Sequence, residues 1–139
     1  MSISLEIDET HGVICWSYPP GRQEYEDFID LFARMRADAK RVHACRSLMI
    51  IYARGVDISG FDANSMEGMQ QTLEDKREEL FGPAPIERTA FVCPDEINKL
   101  AIAHFLAHSK GRLSGEFSVF DTREEAECWL GVRTAPDLS

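Results

Sequence analysis

The chain has 139 residues, 44% of them hydrophobic and 28% charged, with a formal net charge of −9. That length suits one domain with a proper core and is short for two. The acidic balance offers no cationic surplus to displace counterions, which argues against nucleic acid or an anionic membrane as partner.

In chain order, Ile3, Leu5 and Ile7 alternate with polar residues and predict a half-buried strand. Asp8-Glu9-Thr10-His11-Gly12 reads as a turn, and Val13 to Tyr18 as a second strand, so an antiparallel hairpin is expected. Pro19-Pro20-Gly21 breaks it. A helix follows, with Tyr25, Phe28, Ile29, Phe32, Met35 and Ala39 on one face. Acids lead it (Glu24, Glu26, Asp27, Asp30) and Arg34, Arg36, Lys40 and Arg41 close it, an order that complements the helix dipole. With Arg46 these cations form a basic cluster, read as the solvated end of a helix. Ser47 to Ala53 is nearly continuous apolar sequence, the pattern of a strand covered on both faces.

Arg54 to Phe61 reads as a loop beyond the carboxyl end of that strand, and Asp62 or Asn64 as the cap of a helix through Met66, Met69, Leu73 and Leu80. Gly82-Pro83-Ala84-Pro85 ends that helix. Ile86 to Cys93 is a further strand, and Pro94-Asp95-Glu96 opens a helix through Ile97, Leu100, Ala101, Phe105 and Leu106 to Gly111. Its apolar residues spread over more than one face, more than covering a sheet requires, which suggests deep burial or a homodimer contact. Phe117 to Phe120 is the last strand. Asp121 or Thr122 caps a helix with Ala126, Trp129 and Leu130 on one stripe, and Gly131 is its left-handed stop.

The resulting order, β-β-α-β-α-β-α-β-α, predicts an α/β fold: a mixed, largely parallel five-stranded sheet with covering helices and right-handed crossovers. A single domain is expected over residues 1–132, with 133–139 a flexible tail. Binding surfaces of such sheets tend to lie beyond the carboxyl ends of the strands.

The four cysteines, Cys15, Cys45, Cys93 and Cys128, form no CxxC pair and read as core fillers in a reduced setting. The first residues carry neither a basic nor an apolar leader pattern, and no apolar run reaches spanning length. A cytoplasmic protein without membrane insertion is therefore the expectation.

Chemistry-bearing residues are few. His104 and His108 stand i, i+4 and could converge on a metal, but Phe105 stands where an HExxH zinc motif needs glutamate, so they are read first as packed or interface histidines. Cys93 before Pro94 stands at a helix start, where a dipole could lower a thiol pKa; a buried structural cysteine is the first reading. Neither a GxSxG elbow nor a glycine-rich phosphate loop is present, and no cofactor is implied.

The element order resembles the STAS fold of sulfate transporters and anti-sigma factor antagonists. Phe117-Ser118-Val119-Phe120-Asp121 through Ala126-Glu127-Cys128-Trp129-Leu130 resembles the C-terminal signature of the SpoIIAA-like proteins, a bacterial group with a STAS/SEC14-type fold. Leu48 to Val56, a hydrophobic run ending in Gly55-Val56, is similar to that family's third-strand segment.

The resemblance implies a non-enzymatic regulatory or protein-interaction module. In the anti-sigma factor antagonists a serine at the start of the helix after the third strand is phosphorylated, and its charge blocks docking. An ungapped match on Gly55-Val56 puts Phe61 at that position, with Ser59 and Ser65 to either side. The candidate docking or phosphoacceptor loop is thus carried by Arg54, Asp57, Ser59 and Ser65. The SEC14 side of the resemblance implies an alternative, a domain for a small apolar ligand or lipid.

Overall fold

The structure, a computed structural model, describes residues 3–57, 63–82, 86–108 and 115–132, without the side chains of residues 63–66, 69, 97, 101, 104, 105 and 108. The alternation of Ile3, Leu5 and Ile7 becomes β1 (Ser4–Asp8), and β2 (Val13–Tyr18) pairs with it antiparallel, with Leu5 opposite Trp16. The apolar run after Ser47 forms β4 (Ser47–Tyr52), parallel to β2; β6 (Arg88–Val92) is parallel to β4, and β7 (Glu116–Phe120) to β6. The sheet order is β1-β2-β4-β6-β7. The fold is therefore α/β, with a mixed five-stranded sheet in which only the first hairpin is antiparallel. The continuous apolar character of β4 follows from its place at the centre of that sheet.

A second, smaller sheet was not expected. Gly21–Arg22 (β3) and Val56–Asp57 (β5) pair parallel at the carboxyl end of the large sheet. Two-residue strands are too short to show a period of two, which is why the sequence reads as loop at both places.

The helices are α1 (Tyr25–Ala37), α2 (Ala39–His43), α3 (Ala63–Asp75), α4 (Arg77–Phe81), α5 (Glu96–His108) and α6 (Arg123–Leu130). The single helix expected after Glu24 is two, because Asp38 leaves helical geometry (φ −115°, ψ 30°) and its carboxylate accepts from Arg41 at 3.2 Å. Short acidic side chains favour such breaks because they bond locally. The face of α1 also needs correction. Phe28, Leu31, Phe32 and Met35 are buried, whereas Ile29 is 44% exposed, one residue off the stripe.

Helices α1 to α5 contribute to the core on the broad face of the sheet, where Trp16, Tyr18, Phe28, Phe32 and Phe81 pack ring against ring. On the narrow face α6 places Ala126 against Val13, Cys15, Met49, Ala90 and Val92. The cap signals of α6 are met: Thr122 Oγ1 accepts from the Glu125 N–H at 3.3 Å, and Gly131 adopts φ +80°. No helix among the described residues is long and apolar enough to cross a membrane.

Candidate docking site

Because β2, β4 and β6 lie side by side and parallel, the segments that follow them meet at one end of the molecule. Three such segments form the site: Pro19–Gln23 after β2, Ala53–Asp57 after β4 and Cys93–Asn98 after β6.

The second segment turns sharply at Gly55, whose φ of +85° is a conformation that L side chains rarely adopt. The Val56 N–H donates to the Ala53 carbonyl at 3.3 Å, closing the turn. Beyond it β5 lies beside β3: the Gly21 N–H donates to the Gly55 carbonyl and the Gln23 N–H to the Asp57 carbonyl, both at 2.9 Å.

Side chains from the other two segments hold this ribbon in place. Asp95 Oδ2 accepts the Gly55 N–H at 3.2 Å, and its Oδ1 lies 3.9 Å from the Arg54 guanidinium. Asn98, buried in α5, donates its Nδ2 to the Val56 carbonyl at 3.0 Å. Gln23, fully buried, donates its Nε2 to the carbonyls of Pro19 (3.2 Å) and Gly21 (3.3 Å). Buried carboxamides are costly unless bonded, so each fixes the main chain it serves.

What the ribbon presents outward is charged. The Arg54 side chain is 80% exposed, and Asp57 on β5 stands opposite Arg22 on β3. Arg22 Nε in turn bonds Glu24 at 2.5 Å. Nearby, Lys99 of α5 is held between Glu96 (3.3 Å) and Asp121 at the end of β7.

Of the residues singled out in the sequence, Arg54 occupies the turn and Asp57 lies in β5. Ser59 lies outside the described residues. Ser65 falls in the first turn of α3 and His104 and His108 in α5, but their side chains are outside the described set. Among the described residues no group of three or more His, Cys, Asp or Glu side chains is placed to hold a metal ion.

Cys93 is buried, its Sγ donates to the Asp95 carbonyl at 3.4 Å, and burial pushes its thiol above the ordinary range. That is the chemistry of a structural cysteine rather than an activated nucleophile. The basic cluster of α1 and α2 is largely paired within the chain: Arg34 with Asp30, Arg36 with Glu79, and Arg41 with Glu9 and Asp38.

Sequence reading missed Asp95, Asn98 and Gln23. The available signal was positional: Pro94-Asp95 opens a helix directly after β6, where the loops of neighbouring parallel strands converge. The chain matches no known family model and no curated protein.

Proposed function

We infer that this chain is a non-enzymatic regulatory module of the SpoIIAA-like STAS type that works by docking a protein partner on the ribbon of β3 and β5. The observation that carries this reading is the pairing of a fixed main chain with outward charge. Gly55 is tied to Asp95 and Val56 to Asn98 of α5, while Arg54 projects into solvent from the same turn. A surface ordered before binding loses less entropy on docking, and its charges set specificity and approach rate. Packing of Phe28 and Phe32 against Tyr18, Trp16 and each other supports protein docking over an apolar ligand at that end of the core. The free thiols suit a cytoplasmic setting. Phosphorylation of Ser59 or Ser65, in the sequence that follows β5, would add negative charge and control docking.

Quantitative capture from an extract of the native host tests it. Wild type, Arg54→Glu and Asp57→Lys are immobilised beside Lys40→Glu, a control on the distant α2. The expected result is a host protein retained by wild type and control and reduced at least ~tenfold by both ribbon variants, the effect of losing about 1.4 kcal/mol. A capture set unchanged by the ribbon variants overturns the reading. An apolar small molecule extracted from the purified chain would shift it to the SEC14-type alternative.

A further inference from the structure

The two edges of the large sheet are finished differently. At β1, the Arg34 guanidinium bonds the Ile3 carbonyl just before the strand, and Arg41 Nη2 bonds the Ile7 carbonyl at 3.2 Å. Ser4, Glu6 and Asp8 also place polar side chains along that strand. Engaged main-chain acceptors and charges are how natural sheets close an edge.

At β7 the outward main chain is not engaged in this way among the described residues. The strand Glu116-Phe117-Ser118-Val119-Phe120 contains neither proline nor lysine, and its pairing with β6 runs without a bulge. The Glu116 N–H donates inward to Glu87, and the Phe120 carbonyl accepts inward from Cys93, both at 2.9 Å. Main-chain groups alternate along a strand, so those of Phe117 and Val119 point away from the sheet. Among the described residues nothing bonds them. Val119 is 38% exposed, unusual for a large apolar side chain here.

Helix α5, which precedes β7 in the chain, also exposes apolar residues. Leu100 is 73% exposed, and Ala103 and Ala107 are exposed at i+3 and i+7 on α5. The ion pair of Lys99 with Asp121 ties this helix to the end of β7.

We propose that β7 is a self-association edge, pairing antiparallel with β7 of a second copy about a two-fold axis at Ser118. The register is self-complementary. Phe117 and Val119, the residues with outward main chain, fall opposite each other and exchange N–H···O=C bonds on both sides of the axis. Their side chains then meet on one face as an aromatic and β-branched pair.

Charge permits the same arrangement. The net charge of −9 makes copies repel, but the acids at both ends of β7 are neutralised by their own chain. Glu116 lies 3.4 Å from Arg88, and Asp121 is bonded to Lys99. The five-residue strand presents an edge of roughly 17 Å.

Sedimentation equilibrium and amide exchange test the proposal on the full chain. Wild type is expected to show twice its 15.7 kDa mass at micromolar concentration. The amides of Phe117 and Val119 should exchange more slowly as concentration rises. Val119→Pro deletes one outward N–H and spares the β6 ladder, so it should weaken association at least ~tenfold with an unchanged circular dichroism spectrum. Val119→Lys, a charged edge residue, should do the same if the proline variant fails to fold. Leu100→Glu should weaken it less. A wild type monomeric over this range overturns the proposal. So does a dimer that survives both Val119 variants, or protection of these amides only when another host protein is added.

Discussion

On the broad face of the sheet Ile14, Trp16, Tyr18, Leu48, Ile50, Tyr52 and Phe91 lie beneath residues from α1 to α5, whereas among the described residues the narrow face offers Val13, Cys15, Met49, Ala90 and Val92 to α6 and the Val132 that follows it. The difference is one of side-chain size. Large rings fill a deep layer between sheet and helices. Small residues let a helix of eight residues seat close enough to bury Ala126 completely. Coverage of the narrow face thins toward β1, leaving a depression of about 50 Å³ lined by Glu6, Asp8, Cys15, Met49, Arg123 and Glu127. The broad face therefore supplies most of the stability, and the narrow face depends on closeness rather than volume.

The largest effect is expected from Phe32→Ala. Phe32 is 1% exposed and its ring lies 6.2 Å from those of both Trp16 and Phe28. Truncation there removes buried rings' contacts and leaves a cavity, at a cost of about 3–5 kcal/mol in denaturant unfolding. A loss below ~1 kcal/mol would mean that the broad layer can collapse around the gap, and the contrast between the faces would fail.

On the narrow face addition should hurt where removal has little to remove. Ala126→Leu inserts a branched side chain between α6 and the strands carrying Met49, Ala90 and Val92, and is expected to cost about 1–3 kcal/mol. The readout is local. Trp129 lies 5.6 Å from Phe120 and 5.3 Å from the Arg88 guanidinium, whose Nη1 also bonds the Trp129 carbonyl at 2.6 Å. Lifting α6 should expose the indole and move its emission to the red. Unchanged emission with unchanged stability would show that α6 is less closely seated than its small residues require.

The two faces were unequally legible in the sequence. The capping residues of α6, Thr122 and Gly131, could be read because a side-chain acceptor and a left-handed stop are local requirements. The strands β2 and β4 could be read because buried strands need continuous apolar sequence. Which helical residue faces inward was less secure. Ile29 and Leu31 are one helical position to either side of the stripe's centre, and only tertiary packing decides between them. On α5 the surplus of apolar residues was visible, but not that Ile102 is buried while Leu100 is exposed. The docking ribbon was legible only as a loop. Its fixation by Asp95 and Asn98 depends on β4 and β6 being neighbours, a fact of topology that no local pattern encodes.

The smallest effect, and the most discriminating, is in alkaline solution. Tyr18 and Tyr52 stack with ring centroids 4.6 Å apart at 5°, deep in the broad layer. Burial raises both phenols above their ordinary 10.0, and the neighbouring Tyr52 raises Tyr18 further. The fold thus favours the neutral phenols. Their contribution is fully present below pH 10 and is lost as pH rises above it, because the unfolded chain releases protons that the folded chain retains. Each such phenol adds a slope of roughly 1.4 kcal/mol per pH unit in that window. The thiols of Cys15, Cys45 and Cys93, raised by burial from 9.0, follow the same sign and begin one unit earlier. Tyr18→Phe should therefore flatten the decline above pH 10 without touching that between 9 and 10. Cys15→Ala, on the narrow face, should ease the earlier decline alone. Melting temperatures from pH 8 to 11, with absorbance at 295 nm following tyrosinate, separate the two; an unchanged slope above pH 10 in Tyr18→Phe would place that phenol within reach of solvent and undo the contrast between a deep face and a close one.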